Sequence, residues 1–256
     1  YLAAVLNDMS QAQQLVQSVI ASYSLIEEGI PLDTETLLYE INCTGVEVSC
    51  LLADVAMIEI DNLCSNFFSK DWHDDSENTV MRKACKLLCR ALDSLEAILK
   101  TEHFYNIVIE SAVEKISFRY IVSFLKRAKD PSFGPTVPLE EIEKMKSDIA
   151  MMEQYLRKYG PTVLPSLYHL KELIVFMTES PEVLEQTMFM EIVGRHQGRE
   201  KIVFKLLKLC TAVREDFRNL YVAAWLNRLK QKMLAFVEKN VDNSCRSTIT
   251  MDTSSQ

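Results

Sequence analysis

The side chains best spaced for chemistry are two thiols and a short acidic run. Cys85 and Cys89 stand four residues apart, the spacing that puts two thiolates on one helical face for a soft ion such as zinc. No His and no second Cys pair lies beside them at ligand spacing, so two buried thiols are expected. His73, Asp74, Asp75 and Glu77 could surround a cation. They carry no EF-hand or H-E-x-x-H pattern, so a solvated interhelical loop is expected there. His196, in His196-Gln197-Gly198-Arg199, is a single imidazole at a helix break, with a capping or solvent-facing role expected. G-x-S-x-G, Walker and dinucleotide fingerprints are absent from the sequence. The expectation is no catalysis, no metal, no cofactor and no small-molecule substrate.

The basic residues near the C-terminus are more informative. Lys201, Lys205 and Lys208 share one helical face, with Ile202, Leu206 and Leu209 on an adjacent one. Arg214, Arg218, Arg228, Lys230 and Lys232 extend the charge. An ordinary solvated helix face would look like this. So would a docking surface for an acidic partner or for anionic lipid headgroups, where each base contributes about 1 kcal/mol. Nucleic acid is not expected, because the chain is acidic as a whole (net −8) and aromatics do not alternate with the bases. Charge is polarised along the chain. Residues 1–80 hold 14 acids against the single base Lys70, whereas residues 195–239 hold 11 bases against 4 acids.

The elements that must position these residues are helical. Among 256 residues, only 6 are Gly and 7 are Pro, too few turn formers for a sandwich or barrel. Apolar residues recur in steps of three and four from Leu2 to Tyr23. Gly29-Ile30-Pro31 closes that helix and Asp33 caps the next, whose stripe (Leu37, Leu38, Ile41, Leu51, Leu52, Val55, Leu63, Phe67) runs to about Ser69 with Gly45 as a possible interruption. Helices are expected over 80–98 and 102–128. The segment 130–138, with three prolines and one glycine, is expected to separate two bundles. Beyond it, Ile142, Met145, Ile149, Met152, Leu156 and Tyr159 step 3-4-3-4-3 until Gly160-Pro161. Further helices follow over 165–177, from Ser180-Pro181-Glu182 to Gly194, over 199–212 and over 215–239. The expected division is a first bundle over 1–130, a second over 139–242, and a disordered Ser/Thr-rich tail over 243–256.

The seven cysteines are odd in number and form no C-x-x-C pair, which fits a reducing cytosolic compartment. There the sequon Asn42-Cys43-Thr44 is coincidental. No uninterrupted apolar run approaches the roughly 20 residues of a membrane span. The opening at Tyr1 is taken as the start of a piece of a longer chain.

Several stretches resemble, in order, the C-terminal half of the exocyst component three (Sec-six) family. Tyr1-Leu2-Ala3-Ala4-Val5-Leu6-Asn7 is similar to its opening Y-x-x-A-V-x-N, followed by Glu27-Glu28-Gly29. Phe67-Phe68-Ser69-Lys70-Asp71-Trp72 resembles the aromatic close of its second long helix. Arg119-Tyr120-Ile121-Val122 is similar to its R-x-x-x-x-Y-[LIV] helix, with a shorter Arg-to-Tyr spacing. Glu141 to Asp148, running into Tyr155-Leu156-Arg157-Lys158, resembles its E-x-x-K-M-x-x-[DE] helix. The correspondence spans most of residues 1–240, by pattern only over 195–240, and not the Ser/Thr tail.

The resemblance implies an all-α fold of two consecutive antiparallel bundles in an elongated rod, of the helical type found in tethering complexes. It implies no enzyme activity. The implied role is a scaffold in docking secretory vesicles at the plasma membrane, in contact with other exocyst subunits and, in some members, with SNARE proteins or their regulators. Two other readings are a related cytosolic protein that remodels membrane or cortical actin outside the exocyst, and a peripheral binder of anionic lipid. A helical enzyme would instead require a deep pocket with convergent polar groups.

Overall fold

The 3-4 stripes become helices, and no strand occurs among the described residues. The computed structural model describes residues 1–23, 34–130, 136–196, 198–214 and 222–251. The expected turn at Gly29-Ile30-Pro31, the Asp33 cap, Glu27-Glu28-Gly29 and most of the Pro-rich connection lie outside them.

In chain order the helices are α1 (Leu2–Tyr23), α2 (Thr34–Cys64), α3 (Lys70–Asp74), α4 (Thr79–Glu96), α5 (Glu102–Lys129) and α6 (Leu139–Leu156). Two short 3-10 stretches, Arg157–Tyr159 and Pro161–Leu167, lead to α7 (Tyr168–Thr178). Then come α8 (Pro181–Val183), joined by one π-helical turn to α9 (Phe189–Arg195), α10 (Glu200–Val213) and α11 (Val222–Met251). Ser180 caps α8 as expected, its hydroxyl accepting from the Val183 amide at 3.3 Å with Pro181 in the first turn. Gly194 is not the stop residue expected of it. It lies inside α9, and Gly198 takes the positive φ (82°) beyond the helix end. The backbone of 243–251, expected as a tail, continues α11, since each added helical residue brings its own hydrogen bond. Residues 252–256 lie outside the described residues.

The chain divides into two compact units, and the division does not fall at the Pro-rich connection. One unit comprises Tyr1–Arg127 with Lys144–Tyr168, and the other Ala128–Glu143 with His169–Gln256. Most of α6, expected in the second bundle, therefore packs with the first. The physical reason is a polar contact inside that unit. Asp148 of α6 is fully buried and its Oδ2 accepts from Trp72 Nε1 at 2.8 Å and from the Tyr120 hydroxyl at 3.0 Å. Trp72 lies in α3, inside the polar stretch 71–77 that reads as a solvated loop, and is itself fully buried. Around this centre Phe68 contacts Trp72 (4.6 Å between centroids), Tyr120 (4.9 Å) and Phe124 (5.5 Å). Phe68 adopts the left-handed region (φ 64°) that bulky residues avoid, and its aromatic neighbours hold it there. The α6 stripe Met145, Ile149, Met152 and Leu156 is buried, as its periodicity requires.

Helix α2 is unbroken at Gly45. The glycine is needed for contact: a Cβ there would overlap the buried Phe104 ring of α5. By length and composition α2 could cross a membrane, yet it buries Leu52, Ala53, Met57, Ile60 and Cys64 within this unit. It packs on α1 and α4, and its Asp54 and Asp61 pair with Lys115 (2.5 Å) and Arg119 (3.0 Å) of α5. Leu51 and Val55, assigned to its inner stripe by periodicity, are half exposed (53% and 52%). Asn7 ties α1 to the α4–α5 turn, donating to the Ile98 carbonyl at 3.1 Å and accepting from the Lys100 amide at 2.9 Å.

In the other unit, α7 buries Leu170, Leu173 and Phe176, α10 buries Val203, Leu206, Leu207 and Cys210, and α11 buries Trp225, Leu229 and Met233. Helices α9, α10 and α11 pack on one another.

Burial pushes the Asp148 carboxyl up to about 6, against the opposing pull of the Trp72 and Tyr120 hydrogen bonds and the Lys144 charge. The folded state therefore holds this proton more tightly than the unfolded state, and the wild type loses stability as pH rises from about 4 to about 6. Asp148→Asn should remove that slope. Chemical denaturation at pH 7.5 and at pH 5 should show wild type gaining about 1–2 kcal/mol on the variant at the lower pH; an unchanged difference refutes the assignment. Gly45→Ala, despite its better helix propensity, should lower the stability of this unit by about 1–3 kcal/mol through the Phe104 clash, measured as a shifted denaturation midpoint.

Candidate functional site

Helix α10 separates its side chains by face. Val203, Leu206, Leu207 and Cys210 are buried, while Lys201, Lys205 and Lys208 are exposed at spacings of four and three. Ile202 sits beside the lysines and is 52% exposed. No carboxylate pairs with these three lysines among the described residues. Leu206, placed by periodicity beside the lysines, belongs to the core.

The other bases behave differently. Arg214 is buried, because its guanidinium caps α7: Nη1 donates to the carbonyls of Phe176 at 2.6 Å and Glu179 at 2.7 Å. Those carbonyls belong to the helix end that lacks intrahelical partners. Arg214 is thus a structural residue and not part of an outer docking face. Arg228 makes a two-pronged contact with Glu185 (3.1 and 3.2 Å), and Lys232 lies 3.6 Å from the same carboxylate. These bases hold the Glu185 carboxyl below the usual carboxylate range and spend part of their own charge internally. Lys230 is exposed, and Arg218 lies outside the described residues.

The thiols are buried. Burial pushes Cys85 up to about 12 and raises Cys89 as well, which disfavours the thiolates a metal would need. Asp75 does not gather a cation with His73, Asp74 and Glu77. Its carboxylate caps the start of α4, with Oδ1 accepting from the Glu77 amide and the Thr79 hydroxyl at 3.0 Å and Oδ2 accepting from the Thr79 amide. Burial works against the charge on Asp75, but these hydrogen bonds outweigh it and lower its pKa.

His196 departs most from expectation. It is buried, its Nε2 is 2.6 Å from Glu172 Oε1, and its ring stacks on His169 with centroids 4.4 Å apart and planes 18° apart. His169 and Glu172, three residues apart on α7, carried the only sequence hint, and His196 joins them from the end of α9. A groove of 910 Å³ between α4 and α6 is lined by Arg82, Lys86, Arg90 and Lys158 with Asp93, the last held at 2.6 Å by Lys158. It is a basic surface groove, and its one lining carboxylate is paired with Lys158.

Comparison with known protein families matches residues 1–197 to the family described as exocyst complex component Sec6. No curated protein and no solved structure matches the chain at a significant level. The matched stretch stops three residues short of α10.

Replacing Arg214 with Met should cost about 1–3 kcal/mol, because two α7 carbonyls lose their donor. Lys205→Glu should leave the melting temperature within about 2 °C of wild type, since an isolated exposed charge contributes little. Thermal unfolding followed by circular dichroism compares the two; equal losses refute the division of these bases into structural and free.

Proposed function

We propose, on the premise that the chain belongs to the exocyst Sec6 family, that the lysine face of α10 is a docking surface through which this vesicle-tethering subunit holds an acidic helical partner. Members of that family are structural subunits of the exocyst, with other exocyst subunits as partners, acting in the cytoplasm at sites of exocytosis. The finer assignment rests on one observation: Lys201, Lys205 and Lys208 are exposed and aligned, with no carboxylate partner among the described residues, beside the half-exposed Ile202. Three ammonium groups on flexible stems attract a carboxylate-rich helix over a Debye length of about 8 Å, and Ile202 supplies apolar contact once it arrives. The preferred occupant is an acidic face of a neighbouring exocyst subunit. A SNARE protein with an acidic helix face offers the same chemistry, and an anionic plasma-membrane surface is the third occupant that the test separates.

In this reading the chain works without catalysis. Its cores keep the helices in register, and its outer faces bind. Weak contacts of this kind gain strength when several act together through effective concentration.

The test is the triple variant Lys201→Glu, Lys205→Glu, Lys208→Glu. Its melting temperature should stay within about 2 °C of wild type, while co-purification of other exocyst subunits should fall about tenfold, equivalent to roughly 1.4 kcal/mol. Flotation on phosphatidylserine-containing vesicles should be unchanged. Undiminished co-purification refutes the docking face. A loss confined to flotation replaces the subunit with a membrane, and a loss confined to SNARE binding replaces it with a SNARE.

A further inference from the structure

We propose that His169, Glu172 and His196 form a binding site for one zinc ion that staples α7 to the end of α9. Their donor atoms all lie within 4.8 Å of one another, with His169 Nδ1 3.8 Å from Glu172 Oε2 and His196 Nε2 2.6 Å from Glu172 Oε1. Two ligands come from one helical face at a spacing of three residues, and the third from a residue 24 positions on, where the backbone leaves the helical region (φ −115°, ψ 46°).

The cluster contains a buried acceptor that is unmet. Glu172 is 1% exposed, and one of its carboxylate oxygens, Oε2, has no hydrogen-bond donor. A buried carboxylate with an unmet lone pair is costly, and buried polar atoms are paired in nearly all folded proteins. The His169 and His196 rings lie face to face at 4.4 Å, each with a nitrogen turned to that carboxylate. A divalent ion held among the three donors would satisfy Glu172 Oε2.

The donor set selects the ion. Two imidazoles and one carboxylate suit zinc, whereas calcium and magnesium require oxygen ligands in greater number. Tetrahedral zinc places its donors about 3.4 Å apart, given bond lengths of about 2.0–2.2 Å. Binding therefore widens the His196–Glu172 contact by several tenths of an ångström and draws His169 slightly inward. Zinc would take the His196 Nε2 lone pair, with the ring proton on Nδ1. Three protein ligands leave a fourth position for water. The ion's role here is structural, because it cross-links two helical segments of one unit and stabilises only the folded arrangement. All three ligands fall within the stretch that matches the family, and the inference does not depend on the α10 docking face.

The 256-residue chain, stripped with chelator, is titrated with Zn²⁺ by calorimetry and with Co²⁺ by visible absorption. The expected result is one equivalent bound, tetrahedral Co²⁺ bands without sulfur charge transfer, and a melting temperature raised by roughly 5 °C or more at 100-fold excess over Kd. His169→Ala and Glu172→Gln should weaken binding about 100-fold or more, beyond what loss of an outer-shell partner brings. Their metal-free circular dichroism establishes folding. If Glu172→Gln does not fold, the less buried His169→Ala decides. Absence of a Co²⁺ band at one equivalent, a sulfur charge-transfer band, or undiminished binding by His169→Ala overturns the site.

Discussion

The first unit is organised by a single buried carboxylate. Asp148 joins α6 to Trp72 of α3 and Tyr120 of α5, and two hydrogen bonds to one oxygen leave little freedom in how these segments meet. Apolar packing alone tolerates sliding, since one greasy stripe fits another in several registers. A buried acid with directional donors does not, because any other register strands it without partners. The cost is visible in its raised pKa, which burial dominates. Phe68 in its left-handed conformation and the capped start of α4 lie on either side of α3 in the chain, and both serve to place Trp72.

The residues that carry the family resemblance converge on that centre. Trp72 ends the aromatic stretch, Tyr120 follows Arg119, and Asp148 closes the E-x-x-K-M-x-x-[DE] segment. Asn7, last of the opening motif, bonds to both sides of the α4–α5 turn. In sequence these look like unconnected amphipathic fragments. In space they are the polar contacts that fix how helices of one unit are stacked. Contacts of this kind also fix the geometry of the unit's outer faces.

Charge on the outside follows the same logic of pairing. Eight bases from Lys201 to Lys232 were equivalent by spacing and type. Arg214 is consumed by a helix end, and Arg228 and Lys232 by one glutamate, while Lys201, Lys205 and Lys208 remain outward. The difference lies in whether an acceptor stands within reach, a property set by neighbouring helices and not by the helix that carries the base.

The sequence by itself determined the helical class, most helix spans and the family, because the 3.6-residue repeat is a local property that any stretch of chain displays without its neighbours. The buried stripe of α6 and the proline cap of α8 were legible for that reason. Tertiary structure alone decided what each stripe packs against and which polar groups meet. It put most of α6 with the first unit, exposed Leu51 and Val55, hid Trp72 in an apparently polar loop, and brought His196 to Glu172. Periodicity says that a face is covered but not by what, and a hydrogen bond between residues 24 or 76 positions apart leaves no mark on the sequence near either one.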